Sequence, residues 1–261
     1  MVSNIAISGM VFQGILSFML PLVVFIYLRK KHHISLKPVL IGAIIFFVFT
    51  QILEKLIHVY VLQVNPTTMD WFENPWLYAT YGALMAGIFE EIGRIIGFKF
   101  FLKLNRDYKD GLAYGLGHGG IEAIFVGMFA SVQFILISVL INSGNFDTQI
   151  AASLPGGMAD QLKSQLTDTS WHMYYLGGIE RIGAFIIQIA LSLLVLQGIR
   201  KKKNIIFLLA ILLHAIIDFS AALVQKQVIS IWVVELLLVI TVVAAIVFIS
   251  KIREKMVLTH H

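Results

Sequence analysis

The sequence predicts an all-α polytopic integral membrane protein with about seven transmembrane helices, and two observations support this prediction. Hydrophobic residues make up 58% of the 261-residue chain and charged residues only 13%, whereas ordinary soluble domains carry about 25% charged residues. Apolar runs of roughly 20 residues, the length that crosses a hydrocarbon core, recur along the chain and do not alternate with polar residues. A soluble globular domain and a β-barrel are therefore disfavoured.

We predict seven spans that form a single transmembrane domain over residues 1–261, with no separate soluble domain. The spans cover Ile7–Leu28, Val39–Leu62, Leu77–Leu102, Gly111–Ile141, Met173–Leu196, Ile205–Val224 and Ile229–Ser250. The chain contains no cysteine, which excludes disulfides, thiolate metal sites and cysteine nucleophiles together.

The basic residues predict the orientation of these spans. On this map 15 of the 20 Lys and Arg residues fall on one side of the membrane. By the positive-inside rule that side is cytoplasmic, so the N-terminus is expected outside and the C-terminus inside. The net charge of +5 follows from this topology and requires no nucleic-acid partner. The 15 residues are Arg29, Lys30, Lys31, Lys37, Lys99, Lys103, Arg106, Lys109, Arg200, Lys201, Lys202, Lys203, Lys251, Arg253 and Lys255.

The third span contains three charged residues, Glu90, Glu91 and Arg94, within the otherwise apolar stretch 87–98. Each charge near a bilayer centre costs roughly 2.5–3.5 kcal/mol, so such residues usually face a protein interior or a water-filled cavity. On a helix, Glu90 and Arg94 share a face, whereas Glu91 points about 100° away from Glu90. Two interpretations remain open for Arg94, a buried ion pair that fixes helix packing and a part of a functional site.

Other predicted spans carry matching polar residues. Their approximate depth follows from a rise of 1.5 Å per residue, counted from the nearest cytoplasmic basic residue. Glu90 and His118 lie roughly 13 Å deep by this count, and His214 lies roughly 16 Å deep. Three helices are therefore expected to bring one carboxylate and two imidazoles to one level. The further polar residues of these spans are Glu122, Glu180, Arg181 and Asp218.

These further residues allow structural as well as functional interpretations. Asp218 follows His214 by one helical turn, and alone it could simply form a hydrogen bond across helices. Glu122 is expected deeper than His118, at roughly 20–22 Å. Glu180 and Arg181 are expected in the outer half of the membrane, either as a structural pair or as part of the site.

The three residues expected at one depth, Glu90, His118 and His214, suit amide hydrolysis. A carboxylate among apolar neighbours can take a proton from water near neutral pH, and an imidazole can orient the water or donate to the oxyanion. A metal offers a second route, with His118, His214, Glu90 and Glu122 as candidate Zn²⁺ ligands. No His-Glu-x-x-His helix is present, so both routes remain open and no cofactor is required. Intramembrane acids and histidines also serve proton relays, so a proton-coupled transporter is the alternative, and a catalytically vestigial sensor or immunity protein is the third.

At these residues the chain resembles the YhfC-type membrane peptidases. It is similar, more distantly, to the CAAX-protease and bacteriocin-processing superfamily and to the PrsW-type glutamate intramembrane proteases. The resemblance covers about residues 89–219 and rests on three motifs in the same order along the chain. They are Glu90-Glu91-x-x-Arg94, Tyr114-x-x-x-His118 and His214-x-x-x-Asp218.

The resemblance implies a glutamate-dependent intramembrane endopeptidase whose catalytic core helices lie within residues 77–224. Glu90 would be the general base and His118 its partner, while His214 and Asp218 would complete the water or oxyanion site. Glu91 and Arg94 would support this geometry. Arg94 is one residue closer to the glutamates than in the CAAX-protease pattern, so Glu91 remains an alternative base. The expected setting is a bacterial plasma membrane, with lipid and a membrane-associated or membrane-spanning peptide or protein as partners.

Overall fold

A computed structural model describes residues 1–154 and 156–258, and within them every regular element is a helix. Six of the helices are long and apolar enough to cross a membrane, which confirms the all-α polytopic membrane fold. The ten α-helices of the described residues are α1 (Asn4–His32), α2 (Leu36–Val64), α3 (Pro66–Trp71), α4 (Pro75–Ile96), α5 (Tyr108–Asn142), α6 (Phe146–Gln149), α7 (Met158–Asp168), α8 (His172–Lys201), α9 (Asn204–Gln225) and α10 (Ile231–Leu258).

The helix α4, which carries the charged motif, is not among the six apolar helices. It begins where the Asn74 side chain accepts hydrogen bonds from the backbone N–H groups of residues 76 and 77, with Pro75 at the first helical position. Proline is well tolerated there because that N–H has no helical partner. The structure thus contains a helix for each predicted span, while the number of membrane crossings and their orientation remain predictions.

π-Helical segments occur within two of the long helices and directly after a third. They cover Phe47–Glu54 and Tyr60–Val64 in α2, Gly97–Phe101 directly after α4, and Ala123–Phe129 in α5. Such segments often occur at functional sites. Two of them begin next to candidate site residues, three residues after Arg94 and one residue after Glu122.

The chain divides into two compact units, and the first comprises residues 1–23 and 122–182. Its apolar core includes Met10, Phe146, Leu166 and Tyr174, all of them buried. Leu166 belongs to α7, so this amphipathic helix packs on the core of its own unit. Next to this core, the side-chain amide of Asn142 accepts a hydrogen bond from the backbone N–H of Val2 and donates one to the Val2 carbonyl oxygen.

The second unit comprises residues 24–121 and 183–261 and contains the charged motif. Glycines allow its helices to approach closely. A Cβ atom at Gly87 of α4 would lie 2.8 Å from the carbonyl oxygen of Ile211 in α9. A Cβ atom at Gly117 of α5 would collide with the backbone of Val39 in α2. The first approach brings α4 and α9 within reach of one another, and the second packs α5 against α2.

Candidate active site

Helix α4 contributes an ionic cluster that is enclosed by protein. Arg94 and Glu91 are fully buried and Glu90 is 8% exposed. The Arg94 guanidinium donates through Nη1 to Glu91 Oε1 and through Nη2 to Glu90 Oε2, the latter at 3.3 Å. Residues three and four positions apart are neighbours on a helix, so Glu91 and Glu90 both lie within reach of Arg94. The guanidinium pairs with both acids because its donors form a planar fork.

His118 of α5 lies directly against Glu90. Its Nε2 atom is 2.9 Å from Glu90 Oε2, and the imidazole is fully buried. The ring meets Phe46 edge-on at 5.0 Å between centroids and stacks on Tyr114 at 6.1 Å. These aromatic neighbours hold the ring orientation that directs Nε2 to Glu90. The other nitrogen, Nδ1, is buried and has no hydrogen-bond partner among the described residues.

His214 of α9 lies between the two glutamates. Its Nδ1 atom is 2.8 Å from Glu91 Oε1, and its Nε2 atom is 3.8 Å from Glu90 Oε2. Nε2 is also 3.4 Å from Oδ2 of Asp218, one turn further along the same helix. The structure therefore brings together six of the residues singled out in the sequence: Glu90, Glu91, Arg94, His118, His214 and Asp218.

The two adjacent glutamates differ in their surroundings. The Glu91 side chain is completely enclosed, and its Oε1 atom contacts both Arg94 and His214. The Glu90 side chain is 10% exposed. Only a carboxylate that solvent reaches can meet an incoming water or substrate, so the two acids are not equivalent for chemistry.

Gln188 is a member of this cluster that the sequence reasoning missed. It lies on α8 and is 5% exposed. Its Oε1 atom accepts a hydrogen bond from Arg94 Nη2, and its Nε2 atom donates to Glu90 Oε2 at 3.2 Å. A signal was present in the sequence, because Gln188 is the single amide within the apolar stretch 184–191. This neutral amide gives a weaker signal than a charged residue or an imidazole does in an apolar stretch.

The remaining candidates, Glu122, Glu180 and Arg181, belong to the first unit. There Arg181 lies between the two acids, with its Nη1 atom 3.9 Å from Glu122 Oε1 and its Nη2 atom 4.0 Å from Glu180 Oε2. Glu122 is one turn beyond His118 on α5, at the end of the α-helical part Tyr108–Glu122.

The second unit offers ligand types that zinc accepts, arranged in neighbouring pairs. Ligand atoms around a tetrahedral Zn²⁺ lie about 3.3 Å apart, given Zn–N and Zn–O distances of about 2.0–2.1 Å. Glu90 Oε2 lies 2.9 Å from His118 Nε2 and 3.8 Å from His214 Nε2, and Asp218 Oδ2 lies 3.4 Å from His214 Nε2. Two imidazoles and two carboxylates are also ligand types that zinc accepts.

Comparison with known proteins identifies the family to which this chain is similar. A family model described as YhfC intramembrane metalloprotease matches residues 16–238, a range that contains every candidate residue. The uncharacterized membrane protein YhfC of Bacillus subtilis (strain 168) is 42% identical over 229 residues, which cover 88% of this chain and 89% of that protein. No solved structure matches the chain.

Proposed function

The chain belongs to the YhfC intramembrane metalloprotease family, and we propose from this premise that it is a glutamate-dependent endopeptidase. The substrate would be a membrane-associated or membrane-spanning peptide or protein. The observation that carries the proposal is the convergence of two imidazoles on one partly accessible carboxylate. Glu90 Oε2 has His118 Nε2 at 2.9 Å and His214 Nε2 at 3.8 Å.

In this proposal Glu90 is the general base. It takes a proton from water as the water oxygen attacks the scissile carbonyl, and it returns that proton to the leaving amine. Its 10% exposure favours it over Glu91, which is fully enclosed. Both oxygens of Glu91 are buried, and one of them already contacts Arg94 and His214. We therefore assign Glu91 and Arg94 to holding the geometry.

The two histidines have different parts. His118 contacts Glu90 directly, and we assign it to orienting the carboxylate that receives the proton. His214 contacts Glu91 through one ring nitrogen and lies close to Asp218 through the other. Because it also lies near Glu90, we assign it to donating to the oxyanion that develops on the substrate carbonyl. Donors of this kind stabilise the charge that forms on the carbonyl oxygen during acyl transfer.

His118, His214 and Asp218 are the residues that would hold a metal, with Glu90 beside them as the base. When bound, zinc polarises the scissile carbonyl and makes a water molecule a stronger nucleophile near neutral pH. The Nδ1 atom of His118 is buried without a hydrogen-bond partner among the described residues. A metal or a polar partner at this atom would satisfy it. The acid–base role of Glu90 is proposed for either case.

Family membership favours hydrolysis over a proton-coupled carrier and over a vestigial sensor. The glycines of α5 permit close helix packing. The stretch Tyr108–Glu122 is a continuous α-helix.

Cleavage of peptides by the reconstituted protein tests the proposal. The purified chain in lipid vesicles would be incubated with a library of quenched fluorescent transmembrane peptides, and the products identified by mass spectrometry. We expect cleavage by the wild type, no cleavage by Glu90→Gln, and normal cleavage by the control Glu235→Gln on α10. Equal cleavage by wild type and Glu90→Gln would refute the assignment. pH-driven ion flux without any cleavage would favour the carrier.

A further inference from the structure

Gln188 joins two residues of the proposed catalytic centre from a helix that carries none of the three motifs. Its amide oxygen accepts from Arg94 Nη2, and its amide nitrogen donates to Glu90 Oε2 at 3.2 Å. Arg94 also donates to the same Glu90 oxygen at 3.3 Å. The three side chains therefore form a closed triangle of hydrogen bonds.

Glycines in α5 set the position of Gln188. A Cβ atom at Gly119 would lie 2.9 Å from the Gln188 Cβ atom, and one at Gly115 would lie 2.7 Å from the Ile189 Cα atom. Either side chain would push α8 away from α5. Because residues 115 and 119 are one turn apart, they leave a flat strip on α5 against which α8 packs. The glycine-rich sequence before and after His118 thus serves the placement of Gln188.

A neutral amide has a property that this position needs. It accepts through its oxygen and donates through its nitrogen, so one side chain can satisfy both Arg94 and Glu90. An ionised carboxylate could only accept, and an ammonium or guanidinium group could only donate. An apolar residue would leave the Arg94 and Glu90 atoms unpaired in a buried site, which is costly.

We propose that Gln188 is a positioning residue for catalysis, and this role rests on the proposed function of Glu90 as the base. Gln188 Nε2 and Arg94 Nη2 both donate to Oε2 of Glu90, and His118 Nε2 lies 2.9 Å from the same oxygen. That oxygen is held from three sides, which in this proposal leaves Oε1 of Glu90 to take the proton from water. Loss of the Gln188 donor lets the carboxylate rotate, which lowers turnover while substrate binding stays intact.

Kinetics of two Gln188 variants test this inference, with the best-cleaved member of the peptide library as the probe. We expect Gln188→Met and Gln188→Glu to lower kcat about 10- to 100-fold, the order expected when a reacting group is displaced by about 1 Å. KM should change little. The matched control is Gln197→Met on the same helix, which should retain wild-type kcat.

A reciprocal exchange separates positioning from general destabilisation. In Gln188→Glu two carboxylates face each other, and its melting temperature should fall. Adding Glu90→Gln restores one amide and one carboxylate, so the melting temperature should recover while turnover stays absent. A purely structural Gln188 would lower the melting temperature of Gln188→Met without lowering the kcat of the folded enzyme.

The outcomes also distinguish this inference from the proposed function. Wild-type kcat in Gln188→Met and Gln188→Glu, with Glu90→Gln inactive, would overturn the positioning role alone. Wild-type turnover in Glu90→Gln would overturn the base assignment, and with it the reason for holding Glu90.

Discussion

Replacing Gly87 by alanine should separate α4 from α9 at the level of the proposed site. The added Cβ atom would lie 2.8 Å from the Ile211 carbonyl oxygen and 3.3 Å from the Ala215 nitrogen, whereas ordinary contacts begin at 3.4 Å. These neighbours are backbone atoms and cannot rotate away. The helices must therefore part by about 0.6 Å, and overpacking of this kind typically costs about 1–3 kcal/mol.

The same shift reaches the chemistry because His214 is adjacent to Ala215. Its Nδ1 atom lies 2.8 Å from Glu91 Oε1. A displacement of about 0.6 Å would stretch this contact to about 3.4 Å, beyond the usual range of hydrogen bonds. We expect Gly87→Ala to have a lower melting temperature than the wild type. We also expect a lower turnover per folded molecule.

Gly82→Ala on the same helix is the matched control. A Cβ atom there meets nothing within 4 Å, and alanine is favoured over glycine in a helix by about 0.8–1.0 kcal/mol. Thermal unfolding in detergent and peptide cleavage in vesicles would be measured for both variants. If Gly87→Ala melted and cleaved like Gly82→Ala, the close α4–α9 contact would not be what holds His214 at Glu91.

Two further predictions concern the charges and the metal. Arg94→Lys keeps the charge but loses the planar fork that reaches both glutamates. The protein should still insert into the membrane, but its turnover should fall at least about 10-fold. Unchanged turnover would mean that the fork is not needed. Elemental analysis of the purified protein should find about one zinc per chain, as a single tetrahedral site requires, and much less in His118→Gln. Equal zinc in both proteins would remove His118 from the ligand set, and the Glu235→Gln variant serves as the control.

The common depth of three candidate site residues could be predicted from the sequence because helix geometry is regular. A fixed rise per residue, counted from the basic boundary, put Glu90, His118 and His214 at one depth. The structure joins them through contacts of 2.9 and 3.8 Å. The all-α membrane fold followed from composition for a similar reason, because lipid imposes both the length and the apolar character of a span.

Other features depend on packing and could not be obtained from spacing. Which neighbours Gly87 and Gly119 allow to approach is fixed by helix rotation, which the sequence does not encode locally. Gln188 was overlooked because an amide costs less in a membrane than a charge and gives a weaker signal. Helical spacing brings both glutamates within reach of Arg94, but which nitrogen pairs with which oxygen depends on the length and fork of the arginine side chain, which spacing does not describe.

The central claim is that Glu90, and not its neighbour Glu91, takes the proton from water. The most direct measurement is kcat per folded molecule for Glu90→Gln and Glu91→Gln, determined with one peptide in the same vesicles. Removal of a general base typically costs about 10²- to 10⁴-fold. We predict a loss of that size for Glu90→Gln and a smaller one for Glu91→Gln. Turnover that survives Glu90→Gln but disappears in Glu91→Gln would contradict the account.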